Sequence, residues 1–315
     1  MSRTVRVASA VVAAAATFPD RAAISDGDCL HDYASLSDAV EYFAADLVEA
    51  GVQPGARVGI YVGSGYEALL AVLAVEQIAA VAAPLDISEA PEFTRRQIAD
   101  IGIDHLIGHR EHEHLVVDVA DEMDTFGPTM TSIAGDYTLA RSGRGPLAPG
   151  SSGGAVFGLQ NGAGLLEVGS EALMSAAHEM RADIGTTPDD VVAVTEPLTT
   201  RVVLTSCLAT LLAGACLSVR RHGGANPVRV AEQLDCDEAS ILLCSNDRLT
   251  ALRSAGVRAH GSLRVLELAQ ERFGADRQDG CDPDGGERRY GTPLLSESAV
   301  PVRYSRDPGP WLCSR

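Results

Sequence analysis

Apolar and polar positions in the first half of the chain predict helices and strands in alternation. A helix capped by Ser35 or Ser37 is predicted to end before Gly51 and Pro54. Its apolar face consists of Val40, Phe43, Ala44, Leu47 and Val48. The segments predicted to follow it are a strand at 57–62, a turn at Gly63, Ser64 and Gly65, a buried helix at about 66–79, and strands at 80–86, 104–109 and 115–119.

The same alternation resumes after residues 142–154, which are rich in Gly, Pro and Ser and are expected to form a flexible linker. Asn226 and Pro227 have the residue types that begin a helix. The other elements predicted beyond the linker are strands at 155–159, 191–196, 216–221, 240–245 and 263–268, and helices at 170–184, 203–213 and 247–256.

Apolar strands between helices are typical of a parallel sheet covered on both faces. We therefore predict an α/β fold made of two related α/β subdomains with mainly parallel, helix-covered sheets. The first subdomain is expected at 1–141, the second at 155–300, and a C-terminal tail at 301–315.

Charge and composition exclude several classes of function. The net charge of −18 argues against binding to nucleic acid or to an anionic membrane surface, because both need a basic footprint. All 25 basic residues are arginine, so the chain offers no lysine amine for a phosphate-binding loop, a Schiff base or acyl adenylation. No apolar run is long enough to span a membrane, since the best candidate, 69–85, is interrupted by Glu76 and Gln77.

Cysteine usage and the N-terminal residues indicate the cellular compartment in which the protein is expected. The seven cysteines form no CxxC pair, and several lie in apolar runs, which favours core residues of a cytoplasmic protein over disulfides or a zinc site. Residues 1–20 are compatible with two interpretations: a signal peptide, or an alanine-rich helix that ends before Pro19. The cytoplasmic character of the other residues favours the helix.

Three short motifs suggest chemistry, but their contexts argue against it. Residues 150–154 satisfy GxSxG, yet a linker precedes them where a nucleophile elbow needs a strand. Residues 162–167 resemble GxGxxG, but Glu167 replaces the third glycine and would repel a pyrophosphate. His109, His112 and His114 lack helical spacing, so we interpret them as a solvated turn and predict no metal.

Taken in order, several segments resemble the N-terminal part of the acyl-adenylate-forming superfamily, which includes acyl-CoA ligases and adenylation domains of nonribosomal peptide synthetases. The segments are "FPDRAAIS", "YASLSDAVEYFAADLVEAGVQPGARVGIYVGSGYEALLAVLAVEQIAAVAAPLD", "TTPDDVVAVTEPLTTRVVLTSCLATLLAGACLSV", "GSLRVLEL" and "RRYGTP". The series covers about residues 18–300. The chain ends where the family has a third, barrel-like subdomain and a C-terminal lid, so we expect both to be absent.

The resemblance places the stretch "FGLQNGAGLLEVGSEAL" at the family's phosphate loop, between a strand and a helix. Leu159 and Gln160 then stand at a Thr pair, Gly164 at the lysine and Ser170 at a histidine. The residues of this degenerate loop are Gly158, Gln160, Asn161, Gly162 and Gly164. Backbone N–H groups are left to form a nest, but the hydroxyls and the cation that hold a triphosphate are missing. The resemblance therefore implies that binding of ATP and Mg²⁺ is lost.

Polar residues at other family motifs are the candidates for a ligand cleft between the subdomains. They are Glu196, Thr199, Thr200, Tyr290, Gly291, Ser296 and Glu297. Ser296 and Glu297 would replace the family's Thr-Glu pair only across a three-residue insertion. None of these residues is identified as catalytic.

Two functions are compatible with these losses. One is a pseudoenzyme, a binding or scaffold protein of an acyl or natural-product pathway whose partner is a carrier protein or a complete ligase. The other is an enzyme of a different reaction class that uses the cleft without ATP. Without a third subdomain, the apolar segments 69–75 and 203–213 would be exposed, which predicts a homodimer unless the tail with Trp311 covers them.

Overall fold

The helices and strands of the protein follow the alternation predicted from its sequence. The computed structural model describes residues 6–27, 29–62, 65–109, 131–133, 137–141, 156–161, 164–219, 226–255, 263–268 and 302–304. The helices within these ranges are α1 (Val7–Thr17), α2 (Tyr33–Glu49), α3 (Gly65–Gln77), α4 (Pro91–Ile101), α5 (Ser170–Ile184), α6 (Arg201–Leu212), α7 (Pro227–Cys236) and α8 (Asn246–Ser254). None of these helices has both the length and the apolar character needed to cross a bilayer.

The strands of the described ranges form two sheets. The strands are β1 (Ala22–Ser25), β2 (Leu30–Asp32), β3 (Arg57–Tyr61), β4 (Val81–Pro84), β5 (His105–His109), β6 (Thr131–Ile133), β7 (Tyr137–Arg141), β8 (Val156–Asn161), β9 (Gly164–Gly169), β10 (Val191–Val194), β11 (Cys216–Ser218), β12 (Ile241–Ser245), β13 (Arg264–Leu268) and β14 (Val302–Tyr304). The first sheet has the order β6-β7-β5-β3-β4-β8-β9, and the second has the order β14-β13-β12-β10-β11-β1-β2. The central strands of both sheets are parallel.

Each sheet contains a hairpin from the other half of the chain. The β1–β2 hairpin belongs to the second sheet, where Ile24 pairs with Leu217 of β11. The β8–β9 hairpin belongs to the first sheet, where Ala82 of β4 pairs with Phe157. The two sheets therefore exchange strands across the linker expected at 142–154, which itself lies outside the described residues. The subdomain boundaries placed there stay a prediction.

One hydrophobic core joins the two sheets through a layer of helices. It contains residues of α1, α2, α3, α5 and α6 together with inward-facing residues of both sheets. Smaller clusters lie on the outer faces, under α4 on the first sheet and under α7 and α8 on the second. Leu69–Val75 and Val202–Leu211 are buried in this layer. The expectation that these segments are exposed was wrong, and a homodimer now lacks the support of that argument.

Local corrections concern the start and the face of α2. Its N-cap is Asp32, whose carboxylate accepts a hydrogen bond from the Ser35 N–H at 2.7 Å, and not Ser35 or Ser37. Hydrogen bonding from the Ser35 side chain, and next from the Ser35 N–H, lowers the pKa of Asp32. Val48, expected on the apolar face, is 55% exposed. The strand predicted at 115–119 lies outside the described residues.

The cysteines match their predicted burial in part. Cys207, Cys216 and Cys244 are buried as expected, and burial raises the pKa of Cys207 to about 12 and that of Cys216 to about 11. Cys29 and Cys236, by contrast, are exposed. These two thiols are therefore available to solvent, whereas the low polarity around Cys207 and Cys216 holds those two thiols protonated.

Candidate functional site

The expected phosphate loop is a regular antiparallel hairpin. Every residue of β8 pairs with one of β9, from Val156 with Gly169 to Asn161 with Gly164. The second strand leads directly into α5 at Ser170, so the expectation of a loop between a strand and a helix was wrong. A nest binds phosphate through successive N–H groups that are free and converge. Strand pairing instead directs successive N–H groups of residues 156–161 to opposite edges. Gly162, at the turn, lies outside the described residues.

Ser170, at the position of the family histidine, has a structural partner. Its hydroxyl donates a hydrogen bond to Glu76 Oε1 at 2.8 Å. The same buried carboxylate accepts hydrogen bonds from the Val7 N–H at 3.0 Å and the Ala8 N–H at 2.9 Å. Glu76 therefore joins the N-termini of α1 and α5, where a negative charge is favourable. The residue that interrupts an apolar run in the sequence connects three helices in the structure.

Glu196 lies at the carboxyl edge of the second sheet, where open α/β sheets commonly bind ligands. Its Oε1 accepts hydrogen bonds from the Ser245 N–H at 3.0 Å and the Ser245 hydroxyl at 2.8 Å. The Arg248 Nε is 3.8 Å from the same oxygen. Glu196 thus ties the end of β10 to the start of α8. Its carboxylate occupies the helix N-terminus that an anionic ligand would otherwise use.

Thr199 and Thr200 precede α6, as the sequence placed them. Thr199 is 4% exposed, and Thr200 is the N-cap of α6 without a side-chain capping bond. Within the described part of the chain, the buried Thr200 Oγ1 has no hydrogen-bond partner. It is the feature of the predicted cleft that is most compatible with recognition of a polar group. The other predicted cleft residues, Tyr290, Gly291, Ser296 and Glu297, lie outside the described ranges.

A polar cluster that the sequence did not reveal lies where the two sheets face each other. The His31 imidazole stacks on the Tyr66 ring, with ring centroids 3.9 Å apart and planes 4° apart. His31 Nε2 is 3.9 Å from Asp26 Oδ2. Glu67 follows Tyr66 in the sequence, and its Oε1 is 3.7 Å from His109 Nε2. His109 ends β5 and is largely enclosed, so its interpretation as part of a solvated turn was wrong.

A sequence signal for this cluster exists in "SDGDCLHD" at residues 25–32. Asp26 and Cys29 flank a two-residue turn, and Gly27 has a φ of +90°, which favours glycine at the first turn position. Residues paired across a hairpin share a face, so this turn fixes which side chains come together. His112 and His114 lie outside the described residues. Among the described residues, no group of three or more His, Cys, Asp or Glu side chains has the geometry of a metal site.

Comparisons with known proteins relate this fold to one superfamily. The family model for AMP-binding enzyme matches residues 11–141. Nonribosomal peptide synthetase 32 of Fusarium pseudograminearum is 27% identical over 214 residues, 64% of this chain and 2% of that protein. A hybrid PKS-NRPS synthetase of Emericella nidulans is 32% identical over 116 residues, 35% of this chain and 3% of that protein. A solved structure described as a long-chain-fatty-acid CoA ligase of Rhodopseudomonas palustris has a TM-score of 0.67 at 18% identity and covers 84% of this chain and 70% of that chain.

The chain is a relative of the adenylate-forming superfamily in its N-terminal part. This confirms the resemblance found in the sequence and the predicted α/β fold. The match with the two synthetases spans only 2% and 3% of their lengths. The activities of these two synthetases are properties of much longer chains, so they are not transferred to this one. The function of this chain has to be argued from its own residues.

Proposed function

We propose that the protein is a non-adenylating relative of the AMP-dependent ligases, which acts as a binding or scaffold protein in an acyl or natural-product pathway. The observation that carries this proposal is the β8–β9 hairpin at the expected phosphate loop. Adenylation requires that developing charge on the transferred phosphorus be neutralised. Within the described residues 156–161 and 164–169, a paired hairpin in a chain without lysine supplies neither a cation nor a converging set of N–H donors.

Two further sites support the proposal. Ser170, at the position of the family histidine, is bonded to Glu76, and Glu196 is bonded to Ser245. Both groups stabilise contacts between elements, so neither is available to a nucleotide. A carrier protein or a complete ligase remains the proposed partner, and the synthetase names of the relatives are compatible with such a pathway. A cytoplasmic location is a part of the proposal that rests on the cysteine usage of the sequence.

Isothermal titration calorimetry with Mg-ATP tests the proposal. We expect no saturable heat up to millimolar nucleotide, and no exchange of pyrophosphate into ATP with fatty, aromatic or amino acids. A matched variant with Leu159→Thr, Gln160→Thr and Gly164→Lys restores the family residue types in the hairpin. Because the paired backbone is retained, this variant is expected to stay inactive. Micromolar binding of Mg-ATP to the natural chain would overturn the proposal.

The second candidate function is an enzyme of a different class that uses the inherited cleft without ATP. The buried and unpartnered Thr200 Oγ1 at the start of α6 favours it, because such a hydroxyl can hydrogen-bond a bound acyl group. Thermal-shift measurements with short acyl amides and acyl thioesters distinguish the two candidates. Stabilisation that is lost in Thr200→Val and retained in Thr187→Val would support a ligand at α6; Thr187 lies in an exposed turn and serves as the control.

A further inference from the structure

The β1–β2 hairpin places a thiol, an imidazole and a carboxylate on one face. Ile24 pairs with His31, and Asp26 and Cys29 are joined by a hydrogen bond from the Asp26 N–H to the Cys29 carbonyl at 3.1 Å. Side chains of paired residues share a face, and the faces alternate along a strand. Cys29 and His31 therefore lie on the side of Ile24, which points into the core between the sheets. That face is directed toward α3.

The imidazole of His31 is held in a defined orientation. It stacks on Tyr66 and has Asp26 Oδ2 at 3.9 Å from Nε2. His31 Nε2 is buried without a hydrogen bond within the described part of the chain. Asp26 is positioned in turn, because its Oδ1 accepts the Cys29 N–H at 2.8 Å. A nucleophile, a base and an oriented carboxylate are the parts needed for covalent acyl transfer.

Tyr66 supplies a donor on the same side. Burial, reinforced by the charges of Asp26, Glu67 and Cys29, raises the pKa of the Tyr66 phenol, so the phenol stays protonated at neutral pH. It follows Gly65, the first residue of α3. A Cβ on Gly65 would lie 2.7 Å from the Val219 Cβ, so glycine allows the start of α3 to approach the second sheet closely. The phenol can donate a hydrogen bond, and the start of α3 carries the positive end of the helix dipole, so both favour negative charge that develops beside them.

We propose that Cys29 is a nucleophile for small acyl thioesters, with His31 as its general base, Asp26 as a positioning residue and Tyr66 as a donor to the carbonyl oxygen. His31 takes the thiol proton, and the Cys29 sulfur attacks the carbonyl carbon. The bond from this carbon to the leaving sulfur breaks, and the proton on His31 passes to the leaving thiolate. The products are S-acyl-Cys29 and a free thiol. This inference does not depend on whether the protein binds ATP.

The exposed Cys236 provides an internal control. It is the last residue of α7, a helix that contains no histidine, so its own element supplies no general base for the thiol. The probe is S-phenyl thioacetate, and acetylation of each cysteine is followed by peptide mass spectrometry in the same sample. We expect the Cys29 peptide to be acetylated about a hundredfold faster than the Cys236 peptide, the gain typical of general-base assistance.

Variants separate a chemical role of His31 from a structural one. We expect His31→Ala to lose the preference for Cys29, and added imidazole to restore it by filling the vacated slot on Tyr66. Cys236→Ser is expected to leave acetylation of Cys29 unchanged, and Tyr66→Phe to slow it about tenfold or more. Far-UV circular dichroism shows whether His31→Ala is folded. If it is not, the test uses His31→Gln in its place, together with the ratio of Cys29 to Cys236 acetylation in the wild-type protein. Equal acetylation of both peptides, or a full preference for Cys29 without a histidine, would overturn the proposal.

Discussion

Individual polar residues determine how the helices of this protein meet. Glu76 is 1% exposed, and its carboxylate bonds to the first N–H groups of α1 and to the hydroxyl that begins α5. The same type of contact recurs at Tyr33, whose hydroxyl lies 2.9 Å from the carbonyls of Leu211 and Ala215. Each buried polar group thus connects elements far apart in the sequence. Sequence periodicity shows such residues only as interruptions of an apolar pattern.

Replacement of Glu76 is the first prediction. Glu76→Ala leaves the Val7 and Ala8 N–H groups at the start of α1 buried without this acceptor, which should lower the free energy of unfolding by about 1–3 kcal/mol. Urea unfolding followed by circular dichroism measures this loss. The control is Glu41→Ala on the exposed face of α2, for which we expect a change within about 0.5 kcal/mol. Equal effects of the two variants would contradict the capping role.

The stability of the protein is expected to fall below neutral pH because of His105. Burial, together with the nearby Arg141, lowers the pKa of His105 below its ordinary value of 6.5. Because the unfolded chain then binds a proton more readily than the folded chain, the free energy of unfolding decreases as pH falls from about 6.5 toward the folded pKa. His105→Leu should reduce the difference in unfolding midpoint between pH 7.5 and pH 5.5. His178→Leu, on the exposed face of α5, should leave it unchanged.

At the scale of elements, capping residues and periodicity account for much of what the sequence predicted. The start of α7 at Asn226 and Pro227 is confirmed, with the Asn226 Oδ1 accepting the Val228 N–H at 3.0 Å. The helix at 170–184 is also confirmed. Helix α4 was missed although Pro91 begins it, Gly102 ends it, and its buried residues Thr94, Ile98 and Ile101 recur at helical spacing. Most of its other residues are polar, and a search for long apolar faces passes over such a segment.

Removal of the α7 cap is an element-scale prediction. Asn226→Ala should lower the free energy of unfolding by about 1 kcal/mol, because the Val228 N–H loses its acceptor at the helix start. Asn226→Asp retains an oxygen at that point and should preserve stability. Thermal and urea unfolding of the natural protein, Asn226→Ala and Asn226→Asp measure these differences in stability. An alanine variant as stable as the aspartate variant would show that α7 depends on packing alone.

For the whole molecule, the topology explains what the sequence could not predict. Local patterns gave most of the strands, but the pairing of Ile24 with Leu217, or of Ala82 with Phe157, depends on contacts across the entire chain. The hairpin at the expected phosphate loop was missed for a related reason: its glycines are equally compatible with a loop. The cluster of His31 and Tyr66 requires the β1–β2 hairpin and α3 to be in place together, so the turn signal at residues 25–32 does not predict it alone.

Fragments of the chain test this exchange of strands. Residues 1–148 alone lack β8 and β9 of the first sheet and every partner of β1 except β2. We expect this fragment to aggregate or remain largely unfolded, since α1 loses α5 and α6, which pack against it in the whole chain. Co-expression with residues 149–315 should restore a soluble complex. A monomeric fragment 1–148 with cooperative thermal unfolding would show that the first half is an independent domain.

The position of the β1–β2 hairpin also constrains the order of events during synthesis. The ribosome releases Ile24 early, yet this residue is fully buried in the finished protein and has Leu217 of β11 as its parallel partner. Until that strand emerges, this first-made hairpin presents an apolar edge to the cell. Nascent chains in that condition are clients for chaperones. Shortened or stalled products of this gene would therefore be held by chaperones or degraded, and slow translation around residues 191–218 would prolong that exposure.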